Sequence, residues 1–130
     1  MGFHAASSLV ELERAITLTT WEVLAGVVSS PSFFSASLER CCGRITGQFK
    51  ADGGIAELRI VEDDGQGGEV VLNTSAFTIP DTSDAWQAIT FETNTQMGSG
   101  QRTYRLEGRL VDAASSSIRF VSLSLLEALG

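Results

Sequence analysis

Histidine is almost missing from this chain: the single one, His4, stands among its first few residues. A lone terminal imidazole cannot be the positioned acid and base of a hydrolytic triad. Gly98-Ser99-Gly100 lacks the full nucleophile-elbow spacing and its strand-to-helix setting, so it reads as a flexible turn. Cysteine is equally scarce. Cys41 and Cys42 are the only pair and are adjacent, which on an extended chain sends their side chains to opposite faces and leaves them badly placed for a disulfide. They read as small buried hydrophobes of a reducing compartment rather than as a reactive or metal-binding pair. No zinc ligand set and no cofactor motif is present, and an enzyme is not expected.

Basic residues are also in short supply, nine against sixteen acidic ones, for a formal charge of −7. That balance repels a phosphate backbone and an anionic lipid surface, so neither nucleic acid nor membrane is an expected partner. No apolar run approaches the ~20 residues needed to cross a bilayer. The start, Met1-Gly2-Phe3-His4-Ala5-Ala6, has no basic segment followed by an apolar one and does not read as a secretory signal. Ala6 stands where a myristoylation motif has Ser or Thr.

What the chain does have is apolar material in alternation. With 130 residues, 43% hydrophobic and 19% charged, it has enough to close one core without staples, so residues 1–130 are expected to form a single domain, with 1–8 as a flexible lead. From Arg44 onward apolar residues recur at every second position. Ile45, Gly47 and Phe49 alternate with Thr46, Gln48 and Lys50; Asp52-Gly53-Gly54 is a hairpin turn; Ala56, Leu58 and Ile60 return. Tyr104, Leu106, Gly108 and Leu110 face one way, and Arg105, Glu107 and Arg109 the other. In the last run, from Ile118 to Leu126, the apolar phase changes between Phe120 and Val121, as at a bulge or a change of packing partner.

The first third is less regular. Ser8-Leu9-Val10-Glu11 fits a helix capping box, leaving a short N-terminal helix open, while Ile16-Thr17-Leu18-Thr19 alternates and favours strand from about Ala15. Trp21, Val23, Ala25 and Val27 continue in a shifted register. These runs, separated by Gly, Asp and Ser clusters, predict an all-β fold: a jelly-roll-like β-sandwich of six to eight short antiparallel strands.

Candidate sites are few. Glu62, Asp63, Asp64 and Glu69 flank a glycine-rich loop; they lack the rigid cleft a glycosidase pair needs and the alternating ligands of a calcium loop, so a solvated turn is expected. Trp21 and Trp86 would stack on sugar rings if both were exposed on one face, but tryptophans in strands are more often core. Arg102, Arg105, Arg109 and Arg119 gather near the last two strands, either paired across strands with Glu92 and Glu107 or offered to an acidic partner or neighbouring subunit. Phe33 and Phe34, beside Pro31, are candidate contact residues, since an exposed aromatic pair calls for a cover. Ile118 and Phe120 belong to an apolar excess in the last run that one core face cannot absorb, which points to a homo-oligomer interface.

The stretches Trp86–Phe91, Tyr104–Leu110 and Ile118–Leu125 resemble, in strand rhythm, the end of small β-sandwich proteins of tailed-phage virions, of the head-decoration or fibre-tip type. That resemblance implies a virion location, a homo-oligomer, often a trimer, and attachment to a major capsid protein or another virion protein. A capsid decoration subunit is the function it suggests first. A carbohydrate- or receptor-binding β-sandwich module, such as a fibre tip, is the alternative.

Overall fold

A computed structural model describes residues 2–28, 40–73, 76–92 and 103–129, with side chains described for 13–24, 44–73, 76–90, 92, 103–119 and 121. Among these residues the chain is all strand and turn. Nine strands follow in order: β1 (Gly2–Ile16), β2 (Glu22–Val28), β3 (Arg40–Asp52), β4 (Ala56–Asp63), β5 (Glu69–Val71), β6 (Phe77–Ile79), β7 (Gln87–Glu92), β8 (Thr103–Leu110) and β9 (Ser115–Leu129). The count exceeds the expected range because β5 and β6, three residues each, both pair with β4.

The strands pair as a chain doubled back on itself: β1 with β9, β2 with β8, β3 with β7, and β4 with β5, all antiparallel. Further pairing of β3 with β9 and of β4 with β8 yields two sheets, β1-β9-β3-β7 and β2-β8-β4-β5. Nested pairs split between two packed sheets are the signature of a jelly roll. The β-sandwich expected from the alternation is therefore what forms.

The helix left open at Ser8 does not form. The backbone is strand from Gly2, including the segment expected as a flexible lead, and residues 2–16 pair along β9 with a bulge between Ala5 and Ser7. The capping-box letters lose to the ladder, because a fifteen-residue partner strand supplies every second backbone group with a bond that an isolated helical turn must find alone.

Between the sheets lies one apolar cluster, whose largest fully buried members include Tyr104, Phe49, Ile45, Leu58, Ile60, Leu106 and Ile118. Strand β8 follows the expected alternation, with Tyr104, Leu106, Gly108 and Leu110 inward. In β2 the phase differs from expectation. A bulge between Val23 and Ala25 turns Leu24 into the core and leaves Val23 about half exposed.

The phase change in β9 is a bulge as well. Thr46 pairs with Ser122 and Gln48 with Arg119, so Gly47 alone stands opposite Phe120 and Val121. The extra residue lets Ile118 and Val121, on opposite phases of a flat strand, both enter the same core at 0% exposure. This corrects the interface assignment of Ile118: that side chain is covered from within its own chain. Phe120 lies in β9, but its side chain is outside those described, and Phe33 and Phe34 fall outside the described residues altogether.

Candidate binding surface

Outward positions of a sandwich carry its chemistry, because inward ones are spent on the core. On the β2-β8-β4-β5 sheet the outward basic residues are tied down. Arg109 Nη2 lies 2.7 Å from Glu57 Oε1, and Arg59 Nε donates to Glu107 Oε1 at 2.8 Å. Arg105 reaches three carboxylates, Asp63 at 3.1 Å, Glu69 at 2.9 Å and Glu107 at 3.2 Å. Partial burial alone would disfavour the Arg105 charge; hydrogen bonds and attraction from Glu69 and Glu107 outweigh it and push the guanidinium above its ordinary value. Arg105 and Arg109 are thus brought together on one face, but Glu107 meets Arg105 within β8 and pairs across strands with Arg59, not with any of the four arginines the sequence put forward; Arg119 belongs to the other sheet and Arg102 lies outside the described residues. Glu92 pairs instead with Arg44, at 2.6 Å.

Arg105 also accounts for the acidic loop. It takes Asp63 and Glu69 from either side, while Asp64 Oδ1 accepts the amides of Gln66 and Gly68 and Asp63 Oδ1 accepts that of Gly65. A guanidinium and three backbone amides do there what a cation would otherwise do. Among the described residues no three His, Cys, Asp or Glu side chains are grouped to hold a metal ion.

The two tryptophans lie on opposite outer faces, not on one. Each precedes an edge strand by one residue: Trp21 before β2, Trp86 before β7. Each lies over a cation on the neighbouring strand and a second cation on the strand beyond. For Trp86 these are Lys50 of β3, 4.8 Å from a ring centroid, and Arg119 of β9, at 4.1 Å. For Trp21 they are Arg109 of β8, at 4.6 Å, and Arg59 of β4, at 4.2 Å.

The register repeats too. Glu22 pairs with Gly108 and Gln87 with Phe49, which sets Trp21 level with Arg109 and Trp86 level with Lys50. The farther cation is held in both sheets by the residue directly across from it: Arg59 by Glu107, and Arg119 by Gln48, whose Oε1 accepts from Nε at 2.7 Å. The nearer cation has its own carboxylate, Glu57 for Arg109 and Asp84 for Lys50.

Local sequence delivers each ring. The turn before Trp86 is pinned to β3 by Thr82, which is buried: its amide and Oγ1 both donate to Ala51 O, at 2.9 and 3.1 Å, and its Oγ1 accepts from Ala51 N. Ser83 and Asp84 then take left-handed φ of 52° and 63°, which reverses the chain toward β7. The turn before Trp21 is held by Glu22 Oε1, which accepts from Thr17 N at 2.7 Å, and by Leu18 O, which accepts from Leu110 N at 2.7 Å.

The surroundings of the two rings differ. Around Trp86 the outward neighbours are Gln48, Ala88 and Ser117 beside the two cations, with Asp84 on Lys50 and Glu13 across from Arg119. Around Trp21 they are Glu57, the buried Glu107 and the exposed Val23.

No protein-family model matches the chain, and no curated protein sequence matches it. Among solved structures, the chain is similar over 96% of its length to the xylan-binding CBM22-1 domain of Paenibacillus barcinonensis Xyn10C, at 14% identity and a TM-score of 0.41, covering 99% of that domain. It is also similar over 97% of its length to dimeric latent PorU from Porphyromonas gingivalis, at 8% identity and a TM-score of 0.47, spanning 13% of that protein. Both likenesses are distant and leave open what this chain binds.

The sequence drew attention to the two tryptophans but favoured a core role for them, and neither their opposite outer faces nor their partners were legible. Lys50, Arg59 and Gln48 went unnoticed because each is an ordinary outward polar residue of an alternating run. The available signal was a tryptophan immediately before an edge run, level with a basic outward position.

Proposed function

We propose that this domain is a non-catalytic binding module that recognises a carbohydrate chain on the outer face of the β1-β9-β3-β7 sheet, with Trp86 as its stacking platform. The observation that carries the reading is the setting of Trp86: a half-buried indole fixed on Lys50 and Arg119 in the middle of a polar face. A pyranose ring has an apolar C–H face that stacks on an aromatic and a rim of hydroxyls that need donors and acceptors. Gln48, Lys50, Asp84 and Arg119 supply both around one ring. Fixing the indole in advance lowers the ordering cost of binding.

A capsid-decoration role drew on the apolar excess of the last strand. Ile118 and Val121, which carried part of it, are core residues. The cationic strip that was to meet an acidic partner has Arg105 and Arg109 engaged within the chain. The polar aromatic platform is what remains to be explained, and a sugar explains it better than a protein lattice does.

The test is retention in native affinity gels cast with neutral polysaccharides, wild type against Trp86→Ala. The variant should bind at least about tenfold more weakly, equivalent to ~1.4 kcal/mol. It should stay folded, because the loss of two partly exposed cation–π contacts at the rim of the sandwich costs only about 1–3 kcal/mol in all. Retention of the variant equal to wild type would remove Trp86 from the site.

A further inference from the structure

The repeat of the Trp86 arrangement around Trp21 is close. Position before an edge strand, register with the first cation, diagonal placement of the second and the cross-strand anchor of that second cation all recur on the opposite sheet. We infer that Trp21, with Arg59 and Arg109, is a second stacking site of the same chemistry, so that the domain holds two neutral carbohydrate chains, one on each outer face. The inference rests on the reading of Trp86 above and extends it from one site to two.

A clasp that merely fastened an edge strand would have no need of polar groups arrayed around the ring. At Trp21 such a group is present: Glu57 stands beside the cation under the indole as a hydroxyl acceptor, already oriented by Arg109, while the buried Glu107, with its oxygens taken by Arg59 and Arg105, only holds Arg59 in place. Val23, two residues on from Trp21 and 49% exposed, widens the apolar surface next to the ring, which suits the C–H face of a second sugar unit along the chain. Neutral sugars fit this site better than acidic ones, because carboxylates border the ring and the whole chain carries −7.

Two sites on opposite faces have a consequence that one site lacks. A module with one platform decorates a polymer, whereas one with two bridges separate chains, or grips one chain that wraps around it with a raised effective concentration at the second contact.

The chain has only two tryptophans, so replacing one leaves the other as the sole indole reporter. Trp86→Phe and Trp21→Phe keep an aromatic ring and the fold. Titration of each with neutral hexasaccharides, for example of β-linked xylose, glucose or mannose, should blue-shift and quench the remaining tryptophan in both variants. Calorimetry should give two hexasaccharides per wild-type chain and one per Trp21→Ala or Trp86→Ala chain. Wild type, but neither alanine variant, should raise the turbidity of a high-molecular-weight polymer. If Trp86 responds and Trp21 does not, at sugar concentrations that saturate Trp86, the second site is overturned and the first stands. If only Trp21 responds, the assignment to Trp86 and the two-site inference both fall. If neither responds to any of the sugars, the carbohydrate reading itself is lost.

Discussion

Gly108 shows how single residues set the shape of the core. It faces inward on β8, and a Cβ built there would lie 2.9 Å from Leu24 Cδ1 and 3.2 Å from both Ile16 Cδ1 and Leu58 Cδ2. Leu24 reaches that point because the β2 bulge turns it inward, and it is fully buried, so it has nowhere to retreat. The glycine and the bulged leucine are therefore two halves of one packing arrangement. Gly108→Ala should destabilise the fold by about 1–3 kcal/mol through overpacking. Leu24→Val in the same chain should restore part of that loss, because it removes the methyl that the new Cβ meets. Urea unfolding of the single and double variants measures both effects, and additive losses in the double variant would show that the two sites do not share a cavity.

At the scale of elements, the acidic loop between β4 and β5 is the segment most open to misreading. Its carboxylates are already served by Arg105 and by the amides of Gly65, Gln66 and Gly68, so a calcium ion would have to displace a guanidinium to gain ligands. Millimolar calcium, against a chelator control, should change the melting temperature by less than about 1 °C. A rise that grows with calcium concentration would mean that Arg105 yields its partners to the ion. The sequence already read this stretch as a solvated turn, and it also made the alternation of β8 and the phase change between Phe120 and Val121 legible, because each is a local pattern of period two; that a bulge and not a new packing partner causes the change depends on the pairing with β3. The N-terminal strand was obscured because a capping box is local, whereas the β9 ladder that overrides it lies more than a hundred residues away. The site was half legible for the same reason. Two tryptophans are conspicuous, but the cations beneath them come from strands that only the doubled-back topology makes neighbours.

For the whole molecule, net charge and local charge must be kept apart. The chain carries −7, yet around both rings cations stand beside carboxylates: Lys50 with Asp84 and Arg119 across from Glu13 on one face, Arg59 and Arg109 with Glu107 and Glu57 on the other. A polymer binding there meets fixed dipoles and an aromatic surface close at hand, and a weakly repulsive negative field farther out. A neutral chain feels little of that field, because it brings no charge for the field to act on. Its affinity should therefore change by less than about twofold between ~0.01 M and ~1 M salt, a range over which the Debye length falls from ~30 Å to ~3 Å. A polyanion such as polygalacturonate should fail to bind at the low end, where repulsion is least screened. Affinity gels run across that range with both polymers decide the matter. Neutral-polymer binding that collapses with salt would mean that Lys50 and Arg119 hold the ligand by charge and that the indole of Trp86 is only their cover.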